Sequence, residues 1–126
     1  MLTQKYTPLV ARTFIALIFI QSGISKISGF SGTREMIANA GIPLAALVVI
    51  FTIVFQIFGG ISLVLGYKAK IGAILLLVFL IPTTLVFHNP IANPTQMIQF
   101  MKNLSMIGGL LMVLVYGSGP VSLDSN

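Results

Sequence analysis

The chain has no cysteine, no tryptophan and a single histidine, His88, among its 126 residues. It has only two acidic residues. Without cysteine there is no disulfide, no Cys-ligated zinc and no iron–sulfur cluster built from this chain. One histidine cannot supply a bis-histidine haem site between two helices. With so few carboxylates, paired-carboxylate acid–base chemistry and carboxylate cages for hard cations are also out of reach. Charge of either sign is scarce: 7% of residues are charged, against 56% hydrophobic, and mean hydropathy is +1.04. Soluble domains carry about 25% charged residues. A soluble domain of this size buries only about 60–70% of its chain surface, so it could not hide this much apolar area. The solvent this composition fits is lipid.

Seven basic residues give a net charge of +5. They occur singly or in pairs between apolar runs, not as one clustered face, which argues against nucleic acid and for loops that touch lipid phosphates. Lys5 and Arg12 before the run Thr13–Ile20 resemble a signal-peptide start. No small-residue cleavage site follows, and three more long apolar segments do, so the first segment is expected to be a retained helix.

The apolar runs predict an all-α membrane protein, a single domain over residues 1–126. Its four transmembrane helices are expected at about Leu9–Ile27, Leu44–Leu65, Ile71–Phe87 and Met97–Tyr116, each long enough to cross a hydrocarbon core of about 30 Å. A polar break, Ser28–Gly32, leads into a short amphipathic piece, Thr33–Ala40, expected to lie at the membrane surface between the first two spans. Gly41 ends it, and Pro43 suits the first turn of the next helix. Gly66–Lys70 reads as a tight turn. Pro82 removes one hydrogen bond inside the third span, and the hydroxyls of Thr83 and Thr84 can satisfy freed carbonyls. Gly117–Asn126 is a polar tail. Four spans put both termini on one side, and the Lys68/Lys70 turn favours that side being cytoplasmic.

Polar groups inside a membrane are expensive, about 2.5–3.5 kcal/mol each for charged side chains. The candidates are Arg12, Lys26, Gln56, His88, Lys102 and Asn103. Helical spacing places Arg12, Phe19, Gly23 and Lys26 on one stripe of the first span, and Thr52, Gln56, Gly59 and Gly60 on one stripe of the second. Thr84 and His88 stack on the third; Lys102, Ser105, Met106 and Gly109 align on the fourth. An Arg12–Gln56 hydrogen bond is expected. Lys26, His88, Lys102 and Asn103 are expected to converge near the opposite side, under Arg34 and Glu35. Such a pocket suits an anionic or carbonyl-bearing ligand, such as a headgroup, an oxyanion or a quinone, and not a metal cation. Each member has a plainer reading: Arg12 and Lys26 snorkelling to headgroups, Gln56 as interhelical glue, His88 as a helix cap, Lys102 as an interfacial charge. The strings IFGGISLVLGY and MIGGLLMVLVYG place Gly59–Gly60 and Gly108–Gly109 alike, and these pairs, with Gly23, are expected to let helices pack closely.

In order along the chain, RTFIALIFIQSGISKI, FQIFGGISLVLGYKAKIGA, FHNP and MKNLSMIGGLL resemble the DoxX family of four-helix bacterial membrane proteins. The resemblance implies a bacterial inner-membrane location and counterparts of Arg12, Lys26, His88, Lys102 and Asn103 in the family pattern. It also implies an association with quinone-linked redox or oxidative-stress assemblies, and hence a soluble redox partner. Gln56 stands where the family commonly has glutamate, so a mechanism needing a carboxylate there is not expected. Three readings follow: a quinone- or ligand-binding subunit, a membrane scaffold or lipid-binding protein, and a small-solute transporter acting as a homo-oligomer. In the first, the bundle holds a ligand and is not expected to catalyse alone.

Overall fold

The structure, a computed structural model, describes residues 2–91 and 93–123. The last three residues of the polar tail expected above lie outside the described residues. The fold is all-α. Helix α1 spans Leu2–Ser28, α2 Phe30–Asn39, α3 Ala45–Leu65, α4 Ala69–Phe87 and α5 Met97–Tyr116, with a 3-10 turn, Pro94–Gln96, leading into α5. Four of the described helices, all but α2, are long and apolar enough to cross a membrane.

α1 starts two turns before the expected span and carries Pro8 inside it. Hydropathy marks only the lipid-crossing part of a helix; Pro8, the seventh residue of α1, lies past the N–H groups that lack helical partners and so leaves Gln4 O without its helical donor. The expected break at Ser28–Gly32 shrinks to Gly29, whose N–H still donates to Ser25 O. α2 packs against α3 and buries Ile37. Gly41, at φ +84°, closes α2 as anticipated. Pro43, by contrast, precedes the cap of α3 and is not in its first turn; Leu44 caps that helix at φ +56°. Lys68 opens α4 in the same left-handed conformation, at φ +50°. A non-glycine residue there costs about 1–2 kcal/mol, so both turns are held by the helices they join.

α3 is the hub. It packs against α1, α4 and α2, while α5 packs chiefly on α4 and meets α1 at few positions. Glycine permits this. A Cβ on Gly59 would stand 2.7 Å from Leu76 Cγ of α4, and one on Gly60 would stand 2.5 Å from Ile20 Cγ1 of α1. Two consecutive residues thus open opposite flanks of α3 to two helices. Gly23 lies equally close to Ile57, and Gly72 to Ser62. The second Gly-Gly pair does not repeat this. Gly109 leans on the flexible end of Ile15, and a Cβ on Gly108 would meet nothing within 4 Å.

The apolar core is concentrated toward the end of the bundle that carries both termini. It joins Ala16 and Phe19 of α1, Leu63 of α3, Leu76 and Leu80 of α4, and Leu110 of α5. Pro82 leaves α4 unbroken through Phe87. Thr83 and Thr84 donate to Phe79 O and Leu80 O, at 2.8 and 2.7 Å. These are their own i−4 carbonyls, and not Val78 O, the carbonyl that Pro82 deprives of a donor.

Gly60→Leu is expected to destabilise the bundle by about 1–3 kcal/mol through overpacking. Gly108→Leu is expected to stay within about 0.5 kcal/mol, as for other surface changes. Melting both variants in one detergent checks the asymmetry; equal losses would contradict the hub role of α3.

Candidate functional site

Arg12 and Gln56 are both buried, each 2% exposed, and they serve different ends of the molecule. Arg12 Nη1 donates to Leu63 O at 2.8 Å, and Nη2 donates to Val121 O. The guanidinium therefore caps the C-terminal turn of α3, where carbonyls lack helical partners, and holds the segment after α5. That segment is fastened further by Leu123 N–H on Leu65 O (3.1 Å) and Ser118 Oγ on Gly66 O (3.4 Å). Gly66, at φ +66°, gives α3 its left-handed C-cap, and a side chain there would collide with Ser122 and Arg12. The expected Arg12–Gln56 bond is replaced by this arrangement. Backbone carbonyls at a helix end compete for the guanidinium, and they leave no mark in a sequence.

Gln56 instead donates from Nε2 to Ser22 Oγ at 3.2 Å. Lys26 Nζ donates to the same oxygen at 2.6 Å. Ser22 lies about 15 Å along α1 from Arg12, at about 1.5 Å per residue. The Lys26 ammonium also stands 5.8 Å from the centroid of the Phe79 ring on α4, a cation–π distance. Gln56 Oε1 is buried and has no hydrogen-bond partner among the described residues. Ser22 and Lys26 are half-buried. One hydroxyl thus joins an ammonium from α1 and an amide from α3 beside an aromatic ring from α4.

The other candidates do not all converge there. Asn103 is buried, and its Nδ2 donates to Thr84 Oγ1 at 3.0 Å, pinning α5 to α4. His88 occupies the C-cap of α4, and its Nδ1 lies 2.8 Å from Gln96 Oε1, which ties the end of α4 to the start of α5. Lys102 is exposed, as are Arg34, Glu35 and Ser105. The buried face of α5 is Asn103, Leu110 and Val113, one residue round from the stripe expected from Lys102. A lysine in the second turn of a membrane helix reaches headgroups without entering the bundle, so its charge gave no reason to turn it inward. A shallow groove of about 230 Å³ outside the α3–α4 turn, between Phe58, Ile61 and Leu75, contains none of the six candidates.

Sequence reasoning missed Ser22 and Phe79. Ser22 sits four residues before Lys26, on the same helical face, and that spacing was the available signal. Phe79 had none among nine phenylalanines.

The sequence profile of the DoxX family matches residues 7–89. The chain belongs to the DoxX family. The matched stretch contains Arg12, Ser22, Lys26, Gln56 and His88, and ends before Lys102 and Asn103. The chain is 32% identical over 116 residues to the inner membrane protein YqjF of Escherichia coli, covering 92% of this chain and 88% of that one. It is 34% identical over 121 residues to the inner membrane protein YphA of the same organism, covering 92% and 86%. A more distant similarity reaches the Surfeit locus protein 4 homolog of Drosophila melanogaster, 33% identical over 140 residues, covering 89% of this chain and 52% of that protein. No solved structure matches the chain.

Arg12→Met is expected to release the segment around Leu123, because two backbone acceptors lose a charged donor, worth about 1.5–3 kcal/mol for a bond of this kind. Faster hydrogen exchange at the Leu123 amide checks it. Unchanged protection would show that the segment is held without Arg12.

Proposed function

We propose that this DoxX-family chain is a bacterial inner-membrane subunit, a single four-helix domain, that binds a lipid-soluble, quinone-type ligand at Ser22, Lys26 and Gln56. The observation that carries the reading is the convergence of an ammonium and a buried amide on one hydroxyl, with one amide oxygen left unpartnered. A buried polar atom without a partner costs about 1–3 kcal/mol. A ligand group that donates a hydrogen bond to it would recover that. The half-buried Phe79 ring offers an aromatic ligand a surface to stack on. Sparse packing between α1 and α5 supports entry from the bilayer. Redox work would be shared with a soluble partner protein, because a chain with no cysteine and one histidine offers few anchors for an electron carrier.

Saturable binding of a short-chain quinone to the protein in lipid nanodiscs tests the reading. Lys26→Met should weaken it at least tenfold, since a bond from a charged donor contributes about 1.5–3 kcal/mol; Ser22→Ala should weaken it less. Lys102→Ala should leave it unchanged. Binding indifferent to Lys26 and Ser22 would remove the site.

Self-association is a second reading, favoured by Gly108. It lies on an outward face of α5, where a Cβ would meet no other element among the described residues within 4 Å, and so offers a second copy a close backbone approach.

The proposed orientation keeps both termini in the cytoplasm. With Arg12 capping α3, the lysines on that side are Lys5, Lys68 and Lys70, against Lys26, Arg34 and Lys102 opposite, of which Lys26 is turned onto Ser22. The absence of cysteine makes the test clean. Arg34→Cys should react with a membrane-impermeant maleimide in intact cells, and Lys70→Cys only after permeabilisation. The reverse pattern would invert the topology.

A further inference from the structure

Gln21 is a polar side chain turned toward lipid. It is exposed on α1, and its amide has no hydrogen-bond partner among the described residues. The buried residues of that helix are Arg12, Ala16, Phe19 and Gly23. At about 3.6 residues per turn, Gln21 lies on the opposite side of α1 from all four. Its depth is fixed by its neighbour: Ser22 Oγ stands 3.2 Å from the side-chain amide of Gln56, and Gln56 is the twelfth of the 21 residues of α3. Gln21 is therefore near the middle of the bilayer, about 14–16 Å from either end of α3 at about 1.5 Å per residue. At that depth neither water nor a headgroup is within reach of a glutamine. The other side-chain amides of the spanning helices avoid such a place. Gln56 and Asn103 are buried, and Gln4 and Gln99 lie in the first turn of their helices.

An amide in hydrocarbon carries a donor and an acceptor, and each needs a partner. The residues beside Gln21 on the same face identify that partner. Phe14, Leu17 and Ile24 are 69, 54 and 56% exposed. With Gln21 they fall at alternating steps of three and four residues, the spacing of a coiled-coil seam. One amide set in an apolar seam is the device that fixes register between paired helices, and in a membrane it also ties them together. A second copy of this chain is inserted the same way up, so the two-fold axis relating the copies runs along the membrane normal. A residue on that axis meets its own counterpart. A charged side chain there would repel itself, whereas a carboxamide is self-complementary. The match holds whichever way each amide is turned, because both side chains bring a donor group and an acceptor.

We infer that two copies of this chain pair in parallel through the outward faces of α1, with the two Gln21 side chains hydrogen-bonded to each other near the middle of the membrane. The inference does not draw on the ligand-binding reading, since Ser22 and Lys26 lie on another flank of α1. It also names a different surface from the Gly108 face of α5, and the two surfaces are separable by experiment.

The experiment uses the whole protein in liposomes. Copies labelled with a donor or an acceptor dye at an introduced Lys70→Cys are mixed at a series of protein-to-lipid ratios, and energy transfer is read. Saturable transfer is expected. Gln21→Leu puts on the lipid-facing side a residue that such faces ordinarily carry, so the fold of the protomer is not at stake. It should raise the protein density needed for half-maximal transfer at least tenfold, a difference of about 1.4 kcal/mol. Gln21→Asn keeps the amide and should shift that density less than threefold. Cross-linking locates the face. The chain has no cysteine of its own, so Leu17→Cys and Ile24→Cys, about one turn to either side of Gln21, are each expected to give a disulfide-linked dimer on oxidation in the membrane. Transfer absent from the protein with Gln21 intact would overturn the inference and assign Gln21 to a helix of another membrane protein. Transfer unchanged by Gln21→Leu would overturn it as well. So would cross-linking through Gly108→Cys with none through Leu17→Cys or Ile24→Cys, which would move the contact to α5. Quinone binding in nanodiscs holding a single copy is a separate measurement, so its failure and the failure of this inference are told apart.

Discussion

Everything else in this bundle depends on how closely the middle of α3 approaches its neighbours. Gly59 faces Leu76 and Gly60 faces Ile20, so α3 lies against α4 on one flank and α1 on the other. In lipid there is no hydrophobic gain from hiding one leucine behind another, because the tails outside are as apolar as the core. Helices associate there through close van der Waals contact and hydrogen bonds between polar groups. Adjacent glycines supply the first on two sides at once. The second follows from it: Gln56 can reach Ser22 only because Gly23, one residue on, lets α1 and α3 approach at the level of Ile57.

Polar groups are divided along the bundle. At the termini end the polar work is structural: Arg12 closes the last turn of α3 and fastens the segment after α5, and the apolar core packs beside it. Toward the other end, Asn103 on Thr84 and His88 beside Gln96 secure α5 to α4. Between these ties lies Ser22–Lys26–Gln56, where, among the described residues, a buried side-chain oxygen is left over. A lysine and a glutamine at that depth are expensive residues for a membrane helix, and only part of their capacity is spent on holding helices together. Glycine packing and end-capping explain the rest of the interior without a ligand. They do not explain this place.

The four spans were legible because hydropathy and length answer the same question in lipid, and the buried stripe of α1 was legible because its small and polar members recur at helical spacing. Arg12, Gln56 and Asn103, picked out in the sequence as polar groups within apolar spans, are buried. Their partners were not readable. Arg12 binds carbonyl oxygens, which every residue has. Asn103 binds a threonine nineteen positions away. The face of α5 was misjudged by one residue because charge was taken as a sign of function, while Lys102 can extend from the second turn toward water. Gly108 was misjudged by analogy with Gly59: the two sequences match locally, but α5 has no second neighbour to press against that flank.

Fastening at one end has a mechanical consequence. At the termini end, α1, α3 and the segment after α5 are joined by a guanidinium and by main-chain bonds, which makes that end a fulcrum. Between α1 and α5 contacts are few, so the two helices behave as the arms of a peg whose spring is the packed core. Parting those two helices breaks less packing than parting α3 from α1 or from α4.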